Sequence, residues 1–131
     1  MKNFSSKHAT VVYDKELQAF HVTFFNFVPH PEFIKTVEFE YEMVAHYELK
    51  KALIDLRQIK VYAEGNDEYI KTTWFPKMID LGLKQVAFIV PEDIFAKMTM
   101  QKAHDTKKLP IEMIHFQTID EAKSWLLESV V

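Results

Sequence analysis

Three glutamates, Glu38, Glu40 and Glu42, crowd one short stretch, with Glu32 and Glu48 nearby. Clustered carboxylates can exchange protons with a substrate or hold a cation. Glu38 and Glu42 stand four apart and share a helical face, where like charges cost about a few tenths of a kcal/mol. The cluster reads as an acidic face turned to solvent. The histidines are numbers 8, 21, 30, 46, 104 and 115, and no two have the three-to-five spacing of a helical metal pair. His21 and His115, both on predicted strands, are the pair that folding could bring together. Ser5, Ser6, Ser124 and Ser129 lie in a terminal segment and a terminal helix, away from any strand-to-helix elbow, and Thr72 and Thr73 fall inside a predicted helix. Cysteine is absent, which excludes disulfides and thiolate chemistry, and Gly65 and Gly82 stand too far apart to write a phosphate loop. The expectation is a protein that is not an enzyme, with no catalytic residue, cofactor or metal.

Aromatic residues offer more. The stretch "FHVTFFNFVPHPEF" holds five phenylalanines, more than one strand face can bury. Phe24, Phe25, Phe27, Phe33 and the more distant Trp74 therefore either line an apolar ligand pocket or meet another subunit. A homodimer interface is the preferred reading of the two.

The elements that must position these side chains follow from periodicity. "HATVVYDKELQAFHVTFFNF" is a hairpin, with strands at Ala9–Tyr13 and Ala19–Phe27 flanking a polar turn. Phe33, Val37, Tyr41 and Val44 repeat at helical spacing, with Pro31 and Glu32 suited to the first turn. "KALIDL" is a short buried strand, followed by a polar loop. Ile70, Trp74, Met78 and Leu81 mark a second helix, with a kink or break expected at Pro76 and an end at Gly82. "KQVAFIVP" is a buried strand and "EDIFAKMTMQKAHDTKK" a helix with Ile94 or Phe95, Met98 and Lys102 inward. "IEMIHF" is a strand, and Thr118 with Glu121 makes the capping box of a last helix carrying Ala122, Trp125, Leu126 and Ser129 on one stripe. The order β-β-α-β-α-β-α-β-α predicts an α/β domain over 1–131, a mixed sheet of about five strands with helices covering it.

Bulk properties set the outer bounds. The chain has 131 residues, a net charge of -3 and a pI of about 6.1, so it carries no electrostatic footprint for nucleic acid. No apolar window reaches the roughly 18 residues of a transmembrane helix, and the amino terminus lacks a signal-peptide core. A soluble, cytoplasmic protein is expected.

The segments "ALIDLRQIKVYAEGNDEY", "GLKQVAFIVP" and "FQTIDEAKSWLLE", in that order, resemble the STAS fold in its SpoIIAA-like branch, small bacterial α/β proteins. The resemblance spans roughly residues 8–128 and implies a regulatory or protein-interaction module. In STAS regulators the strand matching "LIDL" leads to a loop where a kinase phosphorylates a serine at the next helix start. Here those positions fall on Ala63, Glu64, Gly65 and Asn66, so Asp55-Leu56 is kept and the phosphoacceptor is lost. The loop from Asp55 to Asp67 remains the candidate partner-binding rim, with Arg57, Lys60, Tyr62, Glu64 and Asp67 as its exposed residues. The same branch is often grouped with lipid-binding domains, so the resemblance also permits a carrier of an apolar small molecule.

Overall fold

The computed structural model describes residues 1–94 and 110–130. β-Branched and aromatic runs form the strands, because such side chains pack well on a pleated, half-buried surface. In chain order these are β1 (Phe4–Ser5), β2 (Ala9–Asp14), β3 (Ala19–Phe24), β4 (Asn26–Val28), β5 (Lys51–Asp55), β6 (Ile59–Tyr62), β7 (Gln85–Ile89) and β8 (Glu112–Phe116). The main sheet has six strands in the order β1-β2-β3-β5-β7-β8. β1, β2 and β3 pair antiparallel, whereas β3, β5, β7 and β8 pair parallel. β4 and β6 form a separate parallel pair.

The expected hairpin and the three later strands are all present, with two corrections. Ala19–Phe27 is not one strand. It breaks after Phe24, and Asn26 takes a positive φ of 55°, which turns β4 away to meet β6. Asparagine tolerates that conformation better than most residues. The polar loop expected after Asp55 in turn contains β6, whose Ile59 and Val61 pair with Asn26 and Phe27.

Helix α1 (His30–Tyr47) opens with Pro31 in its first turn, where a missing N–H costs nothing, and ends at Glu48 in the left-handed conformation. Phe33, Val37, Tyr41 and Val44 are all buried along its stripe. Burying a valine or phenylalanine side chain in this way contributes about 1.5–3 kcal/mol. The second predicted helix is composite: α2 (Asn66–Tyr69), a π-helical turn (Ile70–Trp74) and α3 (Phe75–Leu81). Pro76, in the first turn of α3, lies just after the widened turn. The amide of Phe75 donates five residues back to Ile70, so the expected disturbance takes the form of a π turn rather than a kink. Gly82 closes α3 at φ 100°, as its position predicts.

Strand alternation sorts the sheet into two faces. Phe20, Val22, Ala52, Ile54 and Val86 pack under α1 and the composite helix. Ala19, Leu53, Ala87 and Ile89 pack under α4 (Ile119–Glu128) through Ala122 and Leu126. Thr118 caps α4 as expected, accepting from the Glu121 amide at 3.2 Å and donating to its carboxylate at 2.9 Å. Of the helix expected over "EDIFAKMTMQKAHDTKK", residues 95–108 lie outside the described residues.

Candidate functional site

Between the sheet and its α1-side helices lies a cavity of about 400 Å³. Its floor is Phe24 of β3, Ile54 of β5 and Phe88 of β7, neighbouring strands whose side chains point to one face. Phe33, Val37 and Glu40 of α1 form one wall, and Ile70 and Trp74 form another. Ile70 and Trp74 are the first and last residues of the π turn, so that turn presents both to the cavity. Val28, Ile59, Asn66 and Asp67 close the end nearest the β4–β6 pair, and Ile94 also lines it.

Glu40 is the unexpected member. Read from sequence as part of a solvated acidic face, it is in fact 1% exposed, while Glu38 and Glu42 are exposed. The indole Nε1 of Trp74 donates to its Oε1 at 2.9 Å. Among the described residues the ion pairs are Lys35–Glu32 and Arg57–Asp55, and no described cation neutralises Glu40. Burial pushes its carboxyl up to about 8, against the smaller opposing effect of the Trp74 hydrogen bond. At neutral pH it is mostly protonated.

A polar latch closes the other end. Asn66 is buried and joins three elements. Its Nδ2 donates to the Val28 carbonyl at 3.3 Å, and its Oδ1 accepts from His30 Nδ1 at 2.8 Å. An amide oxygen can only accept, so this contact fixes the His30 tautomer. Gly65, at φ 94°, precedes Asn66, and a Cβ there would sit 3.3 Å from His30 Nδ1. Tyr69 and Tyr41 share a hydroxyl hydrogen bond of 3.0 Å behind Phe33, and burial, with Tyr69 beside it, pushes the Tyr41 phenol up.

At the carboxyl ends of the strands, Arg57 grips Asp55 through Nε at 3.0 Å and Nη2 at 2.8 Å. Burial opposes ionisation of Asp55, but the Arg57 hydrogen bonds outweigh it and hold the carboxyl below its ordinary value. On the same sheet face, burial lowers the His21 imidazole, and its Nε2 has no hydrogen-bond partner among the described residues.

The predicted site residues therefore divide. Phe24, Phe33 and Trp74 converge on the cavity. Phe25 and Phe27 do not; Phe27 is 46% exposed and its carbonyl meets His8. The strand breaks there and continues as β4 in a separate pair, which removes both from the alternation of β3. Arg57, Lys60, Glu64 and Asp67 are exposed, with Arg57 committed to Asp55, Asp67 at the cavity edge, and Tyr62 at the end of β6. His21 and His115 do not meet: β5 and β7 lie between their strands, and they stand in registers of opposite parity. Among the described residues no three metal-ligating side chains cluster. Glu40, His30 and Asn66 were not singled out as site residues from sequence, although Glu40 lies seven residues after Phe33, on the buried stripe.

No family model matches the chain, and no curated protein does. Solved structures match. An uncharacterised protein of the DUF3478 family from Shewanella loihica PV-4, described as having a SpoIIAA-like fold, superposes with a TM-score of 0.66 at 16% identity, over 94% of this chain and 98% of that one. The chain has a SpoIIAA-like fold. The anti-sigma factor antagonist SpoIIAA in its unphosphorylated form gives a TM-score of 0.62 at 8% identity, over 92% of this chain and 99% of its own. In this SpoIIAA-like chain the junction after β5 carries Gly65 and Asn66 at the helix start, and both serve the latch to His30. No helix among the described residues is long and apolar enough to cross a membrane.

Proposed function

We propose that the protein is a non-enzymatic binding module that takes an apolar small molecule into the cavity between its sheet and helix α1. The observation that carries this reading is the cavity itself. At about 400 Å³ it falls in the range of small-molecule sites, and its described lining residues are apolar or aromatic apart from Glu40, Asn66 and Asp67. A few placed polar groups in an apolar shell orient a ligand, whereas the described side chains supply no nucleophile–base pair.

The test is uptake of the neutral fluorescent probe N-phenyl-1-naphthylamine, alongside native mass spectrometry of the freshly purified protein. Saturable fluorescence enhancement is expected, reduced at least tenfold in affinity by Ile70→Trp, which fills the cavity from its helical wall. Absence of uptake, or uptake indifferent to Ile70→Trp in a folded variant, refutes the reading.

A second reading draws on a separate observation, the exposed charges Lys60, Glu64 and Asp67 on the rim beside the cavity. SpoIIAA is an anti-sigma factor antagonist, and its likeness supports a regulatory module that docks a protein through this rim. Charge reversal at Lys60 and Glu64 is the clean probe, since Arg57 also holds Asp55 and its reversal would disturb the fold. Reduced capture of a partner at unchanged stability supports docking, and unchanged capture removes it.

A further inference from the structure

The cavity has a charge preference. Among the described residues its ionisable lining groups are Glu40 and Asp67, both acidic, and no described lysine, arginine or histidine lines it. Glu40 is buried, lines the cavity, and has one oxygen engaged by Trp74. Among the described residues its carboxyl has no further hydrogen-bond or ion-pair partner. A buried carboxyl with unused acceptor capacity asks for a donor, and a positive one is favoured when it ionises. Phe24, Phe33, Trp74 and Phe88 supply aromatic walls, which attract cations through their ring faces. Among the described lining residues a fatty acid or other anion would find two carboxyls and no cation.

We infer that the ligand is a lipophilic amine, its ammonium group paired with Glu40 and its apolar body against the aromatic walls. This rests on the small-molecule reading and specifies its chemistry. The groups around Glu40 carry charges of both signs, and none of them pairs with its carboxyl. Asp67 lies on α2, Tyr41 follows Glu40 on α1 and is bonded to Tyr69 of α2, and Lys77 of α3 sits 4.7 Å over the Tyr41 ring. The floor strands contribute Phe24, Ile54 and Phe88, none of which titrates.

Binding an ammonium requires the Glu40 carboxylate. A carboxyl that ionises near pH 8 must release close to one proton per ammonium bound at pH 7, and almost none at pH 9. Amine affinity therefore rises about tenfold from pH 7 to pH 9.

The experiment is calorimetric titration of the protein with n-octylamine, n-octanol and n-octanoate at pH 7 and pH 9, in two buffers of different ionisation enthalpy. Octylamine is expected to bind at least tenfold more tightly than the other two at pH 9. It should weaken about tenfold at pH 7, with proton release to the buffer. Glu40→Gln should bring octylamine to the level of octanol and abolish its pH slope. The slope and proton count come from the unaltered protein, so they stand even if the variant misfolds. Octanol or octanoate binding as tightly as octylamine at pH 9, or an amine preference that survives in folded Glu40→Gln, overturns the inference while the cavity reading survives. If neither the three octyl compounds nor the neutral probe binds, both fall.

Discussion

Replacing Glu40 by glutamine should change how the stability of the protein depends on pH. The wild-type carboxyl titrates near 4.5 in the unfolded chain and near 8 in the folded one. Below about pH 4.5 both states are protonated and the group has no differential effect. Between 4.5 and 8 the unfolded chain ionises while the folded chain keeps its proton. Stability therefore falls with rising pH by about 1.4 kcal/mol per unit. The loss reaches about 3 kcal/mol by pH 7 and levels near 5 kcal/mol above pH 8. Glutamine can accept the Trp74 hydrogen bond through its amide oxygen and carries no titrating group, so the variant lacks this slope. Guanidinium unfolding of both proteins at several values between pH 5 and pH 8.5, followed by tryptophan fluorescence, measures the difference. All other titrating groups are shared and cancel in the comparison. The variant should gain about 3.5 kcal/mol relative to wild type between pH 5 and pH 8. Parallel profiles, within about 1 kcal/mol, would refute the claim that this carboxyl is buried without a cation.

Three further outcomes are expected. Gly65→Ala should cost about 1–2 kcal/mol in chemical denaturation, because alanine resists a φ of 94° and its methyl would press on His30. Thr118→Ala should cost about 1 kcal/mol and fray α4, read as lowered protection of the first-turn amides in hydrogen exchange. Asp55 is held below its ordinary range, so its contribution is present at neutral pH and disappears as pH falls through that range. Asp55→Asn should therefore destabilise at pH 7 and converge with wild type in acid, by a modest amount because the Arg57 side chain is 41% exposed.

How much of this was legible depends on what each pattern encodes. The stripe of α1 was clear because Phe33, Val37, Tyr41 and Val44 all serve one core. The end of α3 was clear because Gly82 supplies a conformation other residues avoid. The break after Phe24 was hidden, since phenylalanines continue through Phe27 and hydrophobic alternation cannot register a turn made by one positive φ at Asn26. β6 was hidden for a related reason: among the described residues it pairs with β4 alone, and short two-stranded contacts leave little periodicity. The distance between His21 and His115 depends on strand order, which local pattern does not carry. Glu40 was misplaced by a competing spacing. Its neighbours two residues either side are solvent-facing glutamates, while its own place on the Phe33 stripe marks it as interior.

The residues that mark the departure from STAS regulators build the latch at one end of the cavity, where Asn66 lines it. Gly65 and Asn66 stand where the resemblance places a phosphorylation loop, and neither carries a hydroxyl. Gly65 lets the chain enter α2 with the His30 ring close against its backbone, and Asn66 ties that ring to β4. A serine at position 66 has one oxygen where the asparagine amide has an acceptor and donors on separate atoms, so it could not span both partners in the same way. The requirement for a phosphoacceptor and the requirement for this latch compete for one site. The chain has met the second. Asp67, the next residue, lines the cavity and is exposed at the rim, so the junction connects interior and surface in a single turn.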